Sequence, residues 1–377
     1  MEKKIMNIEV DNYTNYKEKE ISGRYITNES IADLNYKYSS EICGYSVNNL
    51  PIHFFKIGSG KIKLLIWSQM HGNESTSTKA LFDSISFYSN HEQKMFNKLT
   101  LLVIPILNPD GAFKYTRENY NNIDLNRDAV DLSQPESLVL KKIYDDFKPD
   151  FCFNLHGQRS IYSTLNFNSS IMSFLSPSSD YDRNETDSRV KSMKIILEIV
   201  ENLKILIPEN IGRYNDEFNI NCVGDTFQSL NTPTILFESG HFSQDYTREI
   251  SRYYTSLAIT YAIRSIYSNG FNSKNHKDYY KIPENSTGLC DVFIKNIKIN
   301  QSLSNQVVNL SILYKEKLNL VSKEIEFIPE ISEFGKLEKL SGHLLSDFIS
   351  IKKVFDISDK NDLNEIITIA KKLRNIQ

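Results

Sequence analysis

The stretch "KIKLLIWSQMHGNE", Lys61 to Glu74, joins an apolar run to a polar turn. The run predicts a buried strand, and a helical pattern follows it from Ser75 to Asn90. Three further apolar runs, "LTLLVIPIL", "PDFCFNLHG" and "TPTILFESG", alternate with helical patterns along the chain. Because helices between parallel strands cover both faces of a sheet, this alternation predicts an α/β fold with a mixed, mostly parallel sheet covered by helices on both faces.

The pattern of apolar and polar residues changes after Asn269. The segment "NGFNSKNHKDYYKIPENSTG" is polar and is typical of a linker, and short β-like runs follow between residues 290 and 350. The tail "DLNEIITIAKKLRNIQ" predicts a closing helix. We therefore predict three regions: an N-terminal lead-in (1–43), a catalytic domain (44–270), and a linker with a small β-rich C-terminal domain (271–377).

Composition and charge restrict the classes of partner. With a net charge of −3 the chain gives no reason to expect a nucleic-acid or anionic-membrane partner, and no apolar run approaches the roughly 18 residues of a membrane span. The four cysteines are far apart and form no C-x-x-C pair, which argues against a thiolate zinc site or a disulfide framework. The first residues lack the apolar core of a secretory signal. These features predict a cytoplasmic protein and leave its oligomeric state unspecified.

Polar residues with catalytic character follow the predicted strands, where an open α/β sheet binds its ligands. His71 and Glu74 follow the first strand, His156 the third and Glu238 the fourth. Two histidines and one carboxylate form the donor set of a catalytic zinc site that keeps one position open for water. We therefore predict one Zn²⁺ ion on His71, Glu74 and His156, with Glu238 as the general base that takes a proton from zinc-bound water.

Each residue has a simpler interpretation when it is taken alone. A single His-x-x-Glu turn is common, His156 could be a hydrogen-bonded histidine, and Glu238 could cap the helix that follows it. Arg117 and Arg127 lie in a loop-like stretch, where an arginine usually forms a surface salt bridge. Guanidinium groups also bind carboxylates in bidentate fashion and stabilise oxyanions. One arginine could therefore hold a substrate carboxylate, and the other could stabilise a developing oxyanion.

Five motifs together point to a known family. "HGNE", "NPDG", "RENYNNIDLNR", "NLHG" and "FESG" occur in this order. Over residues 44–265 the sequence resembles the zinc metallocarboxypeptidases of the M14 type. That resemblance implies that the zinc ligands are His71, Glu74 and His156 and that the general base is Glu238. It also implies that Arg117 polarises the scissile carbonyl, and that Asn126 and Arg127 hold the terminal carboxylate of the substrate.

The sequence departs from this family at the substrate-binding loop and pocket. Digestive members use a tyrosine on a mobile loop before the general base, and Tyr214 in "IGRYNDEFN" is the nearest candidate, with an exposed loop aromatic as the alternative. No segment matches the pocket floor. His241 could line the cleft or be a solvated histidine at a helix start. The stretch Gly157 to Arg189 predicts a long loop without regular structure, which either borders the site or is a surface excursion.

The leading prediction is a zinc carboxypeptidase that removes a C-terminal residue from a peptide. The nearest alternative is a deacylase resembling succinylglutamate desuccinylase or aspartoacylase, which share H-G-N-E, D-L-N-R and a β-rich appendage. Both would take a substrate with a free carboxylate, a peptide or an acyl amino acid. "NPDG" and an arginine nine residues before Asn126 favour the peptidase. A non-catalytic binding protein on the same fold would be expected to lack a ligand or the base, and all four positions hold suitable residues.

Overall fold

A computed structural model describes residues 13–301 and 304–374, and its centre is an eight-stranded sheet. The strand order is β1-β2-β4-β3-β5-β8-β6-β7. β3 pairs in parallel with β4 and β5, β5 with β8, and β6 with β7, whereas the remaining three pairs are antiparallel. The predicted fold class is confirmed. The strands are β1 (Glu41–Tyr45), β2 (Pro51–Ile57), β3 (Ile62–Ser68), β4 (Leu99–Ile104), β5 (Phe151–Gly157), β6 (Met172–Leu175), β7 (Ile211–Arg213) and β8 (Thr234–Ser239).

Helices cover both faces of this sheet. Along β3, Leu64 and Ile66 point into one apolar cluster, whereas Leu65 and Trp67 point into another, as the two-residue period of a strand requires. The first cluster packs against α3, α6 and α8, and the second against α5 and α7. The helices are α1 (Tyr13–Tyr16), α2 (Ala32–Lys37), α3 (Thr76–His91), α4 (Pro109–Lys114), α5 (Pro135–Phe147), α6 (Asp187–Leu203), α7 (Val223–Ser229), α8 (Glu249–Ser268) and α9 (Lys360–Arg374).

The described part of the predicted lead-in packs into the first cluster. Tyr16, Ile21 and Leu34 are buried there, because this polar segment still carries enough apolar side chains to cover α3 and α8. The boundary that we placed after residue 43 falls inside β1. Residues 1–12, and with them most of the stretch in which we found no secretory signal, lie outside the described part of the chain.

Three segments are more regular than the sequence suggested. Asn108 caps α4, accepting a hydrogen bond from the Gly111 amide at 2.8 Å, so "NPDG" starts a short helix. The predicted loop from 157 to 189 contains β6, which its antiparallel pairing with β8 stabilises. The predicted linker forms two 3₁₀ turns, at Gly270–Ser273 and His276–Lys281, that bury the Phe271 and Tyr279 rings in the core.

The C-terminal residues form a second, four-stranded sheet with the order β11-β10-β9-β12. Its strands are β9 (Leu289–Gln301), β10 (Ser304–Asn319), β11 (Glu324–Gly335) and β12 (Ser341–Asp347). Ile366 and Ala370 of α9 pack on the apolar face of this sheet. Across the described residues, we find no helix with the length and hydropathy that a membrane crossing requires.

Candidate active site

Three side chains converge at the carboxyl ends of β3 and β5. His71 and Glu74 lie in the turn between β3 and α3, and His156 is in β5, which pairs directly with β3. The Glu74 amide donates to the His71 carbonyl at 3.1 Å, which closes the turn. A Cβ on Gly72 would lie 1.9 Å from the Gly111 carbonyl carbon, so the turn requires glycine where it passes α4. The strand order thus joins residues that are distant in sequence.

The donor atoms of these side chains face one another. His71 Nδ1 lies 2.9 Å from Glu74 Oε1, His156 Nδ1 lies 2.9 Å from Glu74 Oε2, and the two Nδ1 atoms are 3.0 Å apart. Both imidazoles are buried. Burial alone would lower the pKa of His71, but Glu74 and the hydrogen bond to Asp124 raise it to about 9. The three potential ligand atoms therefore meet at one point, all within 4.8 Å of one another.

The surroundings of the two histidines fit a metal ion. His71 Nε2 lies 3.0 Å from Asp124 Oδ1, and a proton on Nε2 leaves the Nδ1 lone pair directed at the cluster. The His156 Nε2 atom is buried without a hydrogen-bond partner among the described residues. A proton there would likewise leave the Nδ1 lone pair of His156 for a metal. Two imidazole nitrogens and a carboxylate are a donor set that suits Zn²⁺.

Glu238 is the penultimate residue of β8 and lines the same cleft as this cluster. In the register of β5 and β8 it lies opposite His156, so the strand pairing fixes its position. Burial, and then the charge of Glu74, raise the pKa of Glu238 well above its usual range. Because α8 begins only at Glu249, Glu238 does not cap the following helix. The site therefore contains a carboxyl group with raised proton affinity beside the metal-binding cluster.

Arg117 and Asp124 form a bridge to the cluster. Arg117 Nε and Nη2 lie 3.2 and 3.0 Å from Asp124 Oδ2, and Nη1 lies 3.4 Å from Glu74 Oε1. Asn119 holds the intervening loop by accepting hydrogen bonds from the amides of Asn121 and Ile123, each at 3.1 Å. Arg117 is half-exposed and therefore accessible to a ligand.

Asn126 and Arg127 line the same cleft. The Asn126 side-chain oxygen accepts a hydrogen bond from the Val223 amide at 3.1 Å, which leaves its amide nitrogen available to a ligand. Arg127 Nη1 donates to the Asn126 carbonyl at 2.7 Å and to Cys222 Sγ at 3.1 Å. Its guanidinium is exposed. The pair is thus held by main-chain and thiol contacts, while several of its N–H groups have no partner among the described residues.

The cleft has a volume of about 670 Å³ and contains all the predicted site residues. Tyr214 lies in its wall, where the hydroxyl donates to Gln158 Oε1 at 2.8 Å and the ring packs on Tyr162. Tyr214 is therefore partly buried in the cleft, in contrast to an exposed loop aromatic. The start of the 157–189 segment borders the cleft through Arg159 and Tyr162.

His241 is not the solvated helix-start histidine that we expected as the alternative to a cleft residue. It is buried to 1% exposure, its ring centroid lies 4.5 Å from that of His343 in β12, and it is absent from the lining of the cleft. The reason is that the C-terminal sheet covers it, a contact that local sequence does not specify.

Sequence reasoning missed three residues at the site. Asp124 and Gln158 orient His71 and Tyr214 through hydrogen bonds, and Arg159 lines the cleft beside the cluster. A signal existed for Asp124, since it stands two residues before Asn126 in "DLNR" and ligating histidines usually donate to a carboxylate. Nothing in the local sequence singled out Gln158 or Arg159.

The comparisons with known proteins agree with this geometry. Residues 28–188 match the family model for zinc carboxypeptidase, Peptidase_M14. This part of the chain is therefore similar to the M14-type zinc carboxypeptidases. The match includes His71, Glu74 and His156, whereas Tyr214 and Glu238 lie beyond it. A probable carboxypeptidase 2 of Arthroderma benhamiae is 33% identical over 99 residues, which are 25% of this chain and 19% of that protein.

Solved carboxypeptidase structures share the fold of the larger domain. A metallo-carboxypeptidase from Burkholderia cenocepacia aligns with a TM-score of 0.51 and 15% identity, covering 65% of this chain and 70% of its own. Carboxypeptidase A from Helicoverpa armigera aligns with a TM-score of 0.51 and 16% identity, covering 68% and 79%. At this identity the alignments concern the fold alone. The chain spans about a fifth of the curated fungal relative, so the activity of the whole protein is a proposal.

Proposed function

We propose that the protein is a zinc-dependent carboxypeptidase that hydrolyses the C-terminal amide bond of a peptide. One observation carries this proposal: the His71–Glu74–His156 cluster, Glu238 and Arg127 line a single cleft in an M14-type domain. We further propose that the metal is a single Zn²⁺ ion. A reducing compartment such as the cytoplasm suits the four cysteines, all of which are free.

In this proposal the cleft orients the substrate through its terminal carboxylate. The free N–H groups of Arg127 and the amide nitrogen of Asn126 bind that carboxylate, because a guanidinium provides paired donors that match its two oxygens. Neither residue has a carboxylate partner among the described residues that would compete with a ligand. Tyr214, held by Gln158, lines the same cleft and would also contact the substrate.

The reacting groups lie deeper in the cleft. When held by His71, Glu74 and His156, zinc would supply a Lewis acid that acidifies water and polarises a carbonyl. Glu238 accepts the proton of the attacking water and transfers it to the leaving amine, a role that its raised pKa favours. Arg117 donates to the carbonyl oxygen as negative charge develops there.

The experiment compares zinc-loaded wild-type protein with Glu238→Gln, using peptides with free C-termini. We expect about one zinc ion per chain in both proteins, measured by inductively coupled plasma mass spectrometry. We expect kcat to fall about 10²- to 10⁴-fold in the variant, because the proton acceptor is lost. Glu338→Gln, at an exposed glutamate in the turn between β11 and β12, is the control and should retain wild-type activity. Full activity in Glu238→Gln, or no zinc in the wild type, would contradict the proposal.

The deacylase alternative is not favoured, because the family match is to peptidases. The same protein should be tested on N-acyl amino acids, simple dipeptides and cell-wall peptides. Faster hydrolysis of N-acyl amino acids than of any peptide would reverse the assignment. A non-catalytic binding protein would bind peptide with full zinc occupancy and cleave none of these substrates.

A further inference from the structure

A second cavity, of about 330 Å³, adjoins the proposed substrate cleft. The two share Glu74, Arg117 and Arg159 in their walls. Arg127 lines the larger cleft and is absent from the lining of the second cavity. A peptide with its carboxylate at Arg127 and its last amide bond at the cluster would therefore place its acyl portion in the second cavity. Because consecutive Cα atoms are about 3.8 Å apart, the penultimate residue is the first residue of the acyl portion that reaches the second cavity.

The C-terminal sheet builds one wall of this second cavity. Residues 313–316 of β10 line it together with Asp291 of β9, and Arg24 and Arg248 line the facing side. Arg24 Nη2 lies 2.9 Å from Glu316 Oε2, which joins the two walls. The appendage therefore contributes directly to the proposed substrate site.

The cavity has an excess of positive charge. Apart from Glu74 and Arg117, which belong to the candidate active site, it is lined by four cationic side chains and two carboxylates. The cations are Arg24, Arg159, Arg248 and Lys315, and the carboxylates are Asp291 and Glu316. The formal balance of these six groups is +2.

Both carboxylates are already engaged. Glu316 binds Arg24 and accepts a hydrogen bond from Tyr115 at 2.6 Å. Asp291 accepts hydrogen bonds from the Tyr246 hydroxyl at 3.1 Å and the Tyr314 amide at 2.7 Å. Neither carboxylate is therefore available to Arg159 or Lys315.

Arg248 shows that positive charge in this cavity is incompletely compensated. It is buried, donates to the carbonyls of Gly240 and Gln158, and its Nε has no partner among the described residues. Burial, and then the charge of Arg24, lower the pKa of Arg248 to about 10. An anion in the cavity would reduce this repulsion.

Arg159 and Lys315 are the cations that remain accessible. Arg159 follows His156 by three residues, is exposed, and has no carboxylate within 4 Å in the described part of the chain. Its loop is held by His343 of β12, whose Nε2 donates to the Ser160 carbonyl at 2.8 Å. Lys315 Nζ lies 3.7 Å from Glu330, and its side chain is 66% exposed. The C-terminal sheet thus positions both cations.

We propose that the second cavity binds the penultimate residue of the substrate, and that Arg159 and Lys315 select a carboxylate on that residue. The inference rests on the proposed carboxypeptidase function and specifies its substrate class: peptides with an acidic penultimate residue. The C-terminal sheet is then a specificity element.

The test measures kcat/KM for two zinc-loaded proteins on matched peptides that differ only in a penultimate Glu or Gln. For the wild type we expect the Glu peptide to be at least about tenfold better, because charge-assisted hydrogen bonds add to its binding. For Arg159→Gln/Lys315→Gln we expect the preference for the Glu peptide to fall to about twofold or less. Both side chains are exposed, so folding should be preserved.

Lys317→Gln is the matched control, since Lys317 is an exposed lysine on β10 outside the cavity lining. It should retain the wild-type preference. An equal loss of preference in Lys317→Gln would indicate long-range charge and would overturn the proposal. Equal rates for the two peptides in the wild type would also overturn it.

Binding separates this proposal from the proposed function. Zinc-loaded Glu238→Gln is titrated with both peptides by calorimetry, which requires no cleavage. Tighter binding of the Glu peptide, lost in the triple variant with Arg159→Gln and Lys315→Gln, supports the anion site even when no peptide is hydrolysed. Equal affinities for the two peptides overturn the anion site, whatever the result of the activity assay.

Discussion

Asp124 connects the first proposed metal ligand to the arginine of the cleft. One of its oxygens faces His71 Nε2, and the other accepts from Arg117. Burial would raise the pKa of Asp124, but His71 and Arg117 hold it well below its usual range. Asp124 therefore stays ionised, which orients the imidazole and increases its basicity toward a metal.

Asp124→Asn tests this role. The variant removes the negative charge that orients His71, so we expect the zinc dissociation constant to rise about 10- to 100-fold. Competition with a chromophoric chelator measures it. Asp131→Asn, an exposed aspartate on the neighbouring loop, provides the comparison and should bind zinc like the wild type. An unchanged dissociation constant in Asp124→Asn would show that Asp124 does not support the site.

At the scale of elements, the turn between β3 and α3 is packed directly on α4. Gly72 contacts the Gly111 backbone so closely that no side chain fits between them. Asn108 secures α4 from the other direction, because its side-chain nitrogen donates to the Met70 carbonyl at 3.1 Å. The positions of His71 and Glu74 thus depend on the contact between two short elements.

Gly72→Ala should disrupt this contact. The added methyl group must displace the turn or α4, so we expect a loss of about 1–3 kcal/mol in the free energy of unfolding and weaker zinc binding. Urea denaturation and the chelator assay measure the two effects. The control is Gly270→Ala, where the nearest atom to the new Cβ is Ser268 Oγ at 3.1 Å, the end of an exposed side chain. Equal stability of the two variants would contradict the proposed close contact.

At the scale of the whole molecule, one buried arginine joins three distant parts of the chain. Arg252 in α8 makes two 2.7 Å hydrogen bonds to Asp83 of α3 and donates to the carbonyls of Glu18 and Ile21. Both ionised side chains are fully buried. This interaction fixes the N-terminal segment on the helical layer that supports β3.

Arg252→Met should destabilise the protein by about 3–5 kcal/mol, because it leaves Asp83 buried without its counter-charge. Arg264→Met is the matched control on the same helix. Its ion pair with Glu92 is partly exposed, with 27% and 23% of the two side chains accessible, so its loss should cost at most about 1 kcal/mol. Chemical denaturation of both variants checks the prediction, and similar losses in the two would refute it.

The sequence by itself determined the alternation of strands and helices and the placement of His71, Glu74, His156 and Glu238 at strand ends. These features depend on local periodicity and turn chemistry, which neighbouring residues encode. Only the tertiary structure decided that β3, β5 and β8 are adjacent, that Asp124 meets His71, and that Lys315 and Arg159 line one cavity. Those arrangements join residues 53 to 156 positions apart and depend on how complementary surfaces dock, which no local pattern specifies.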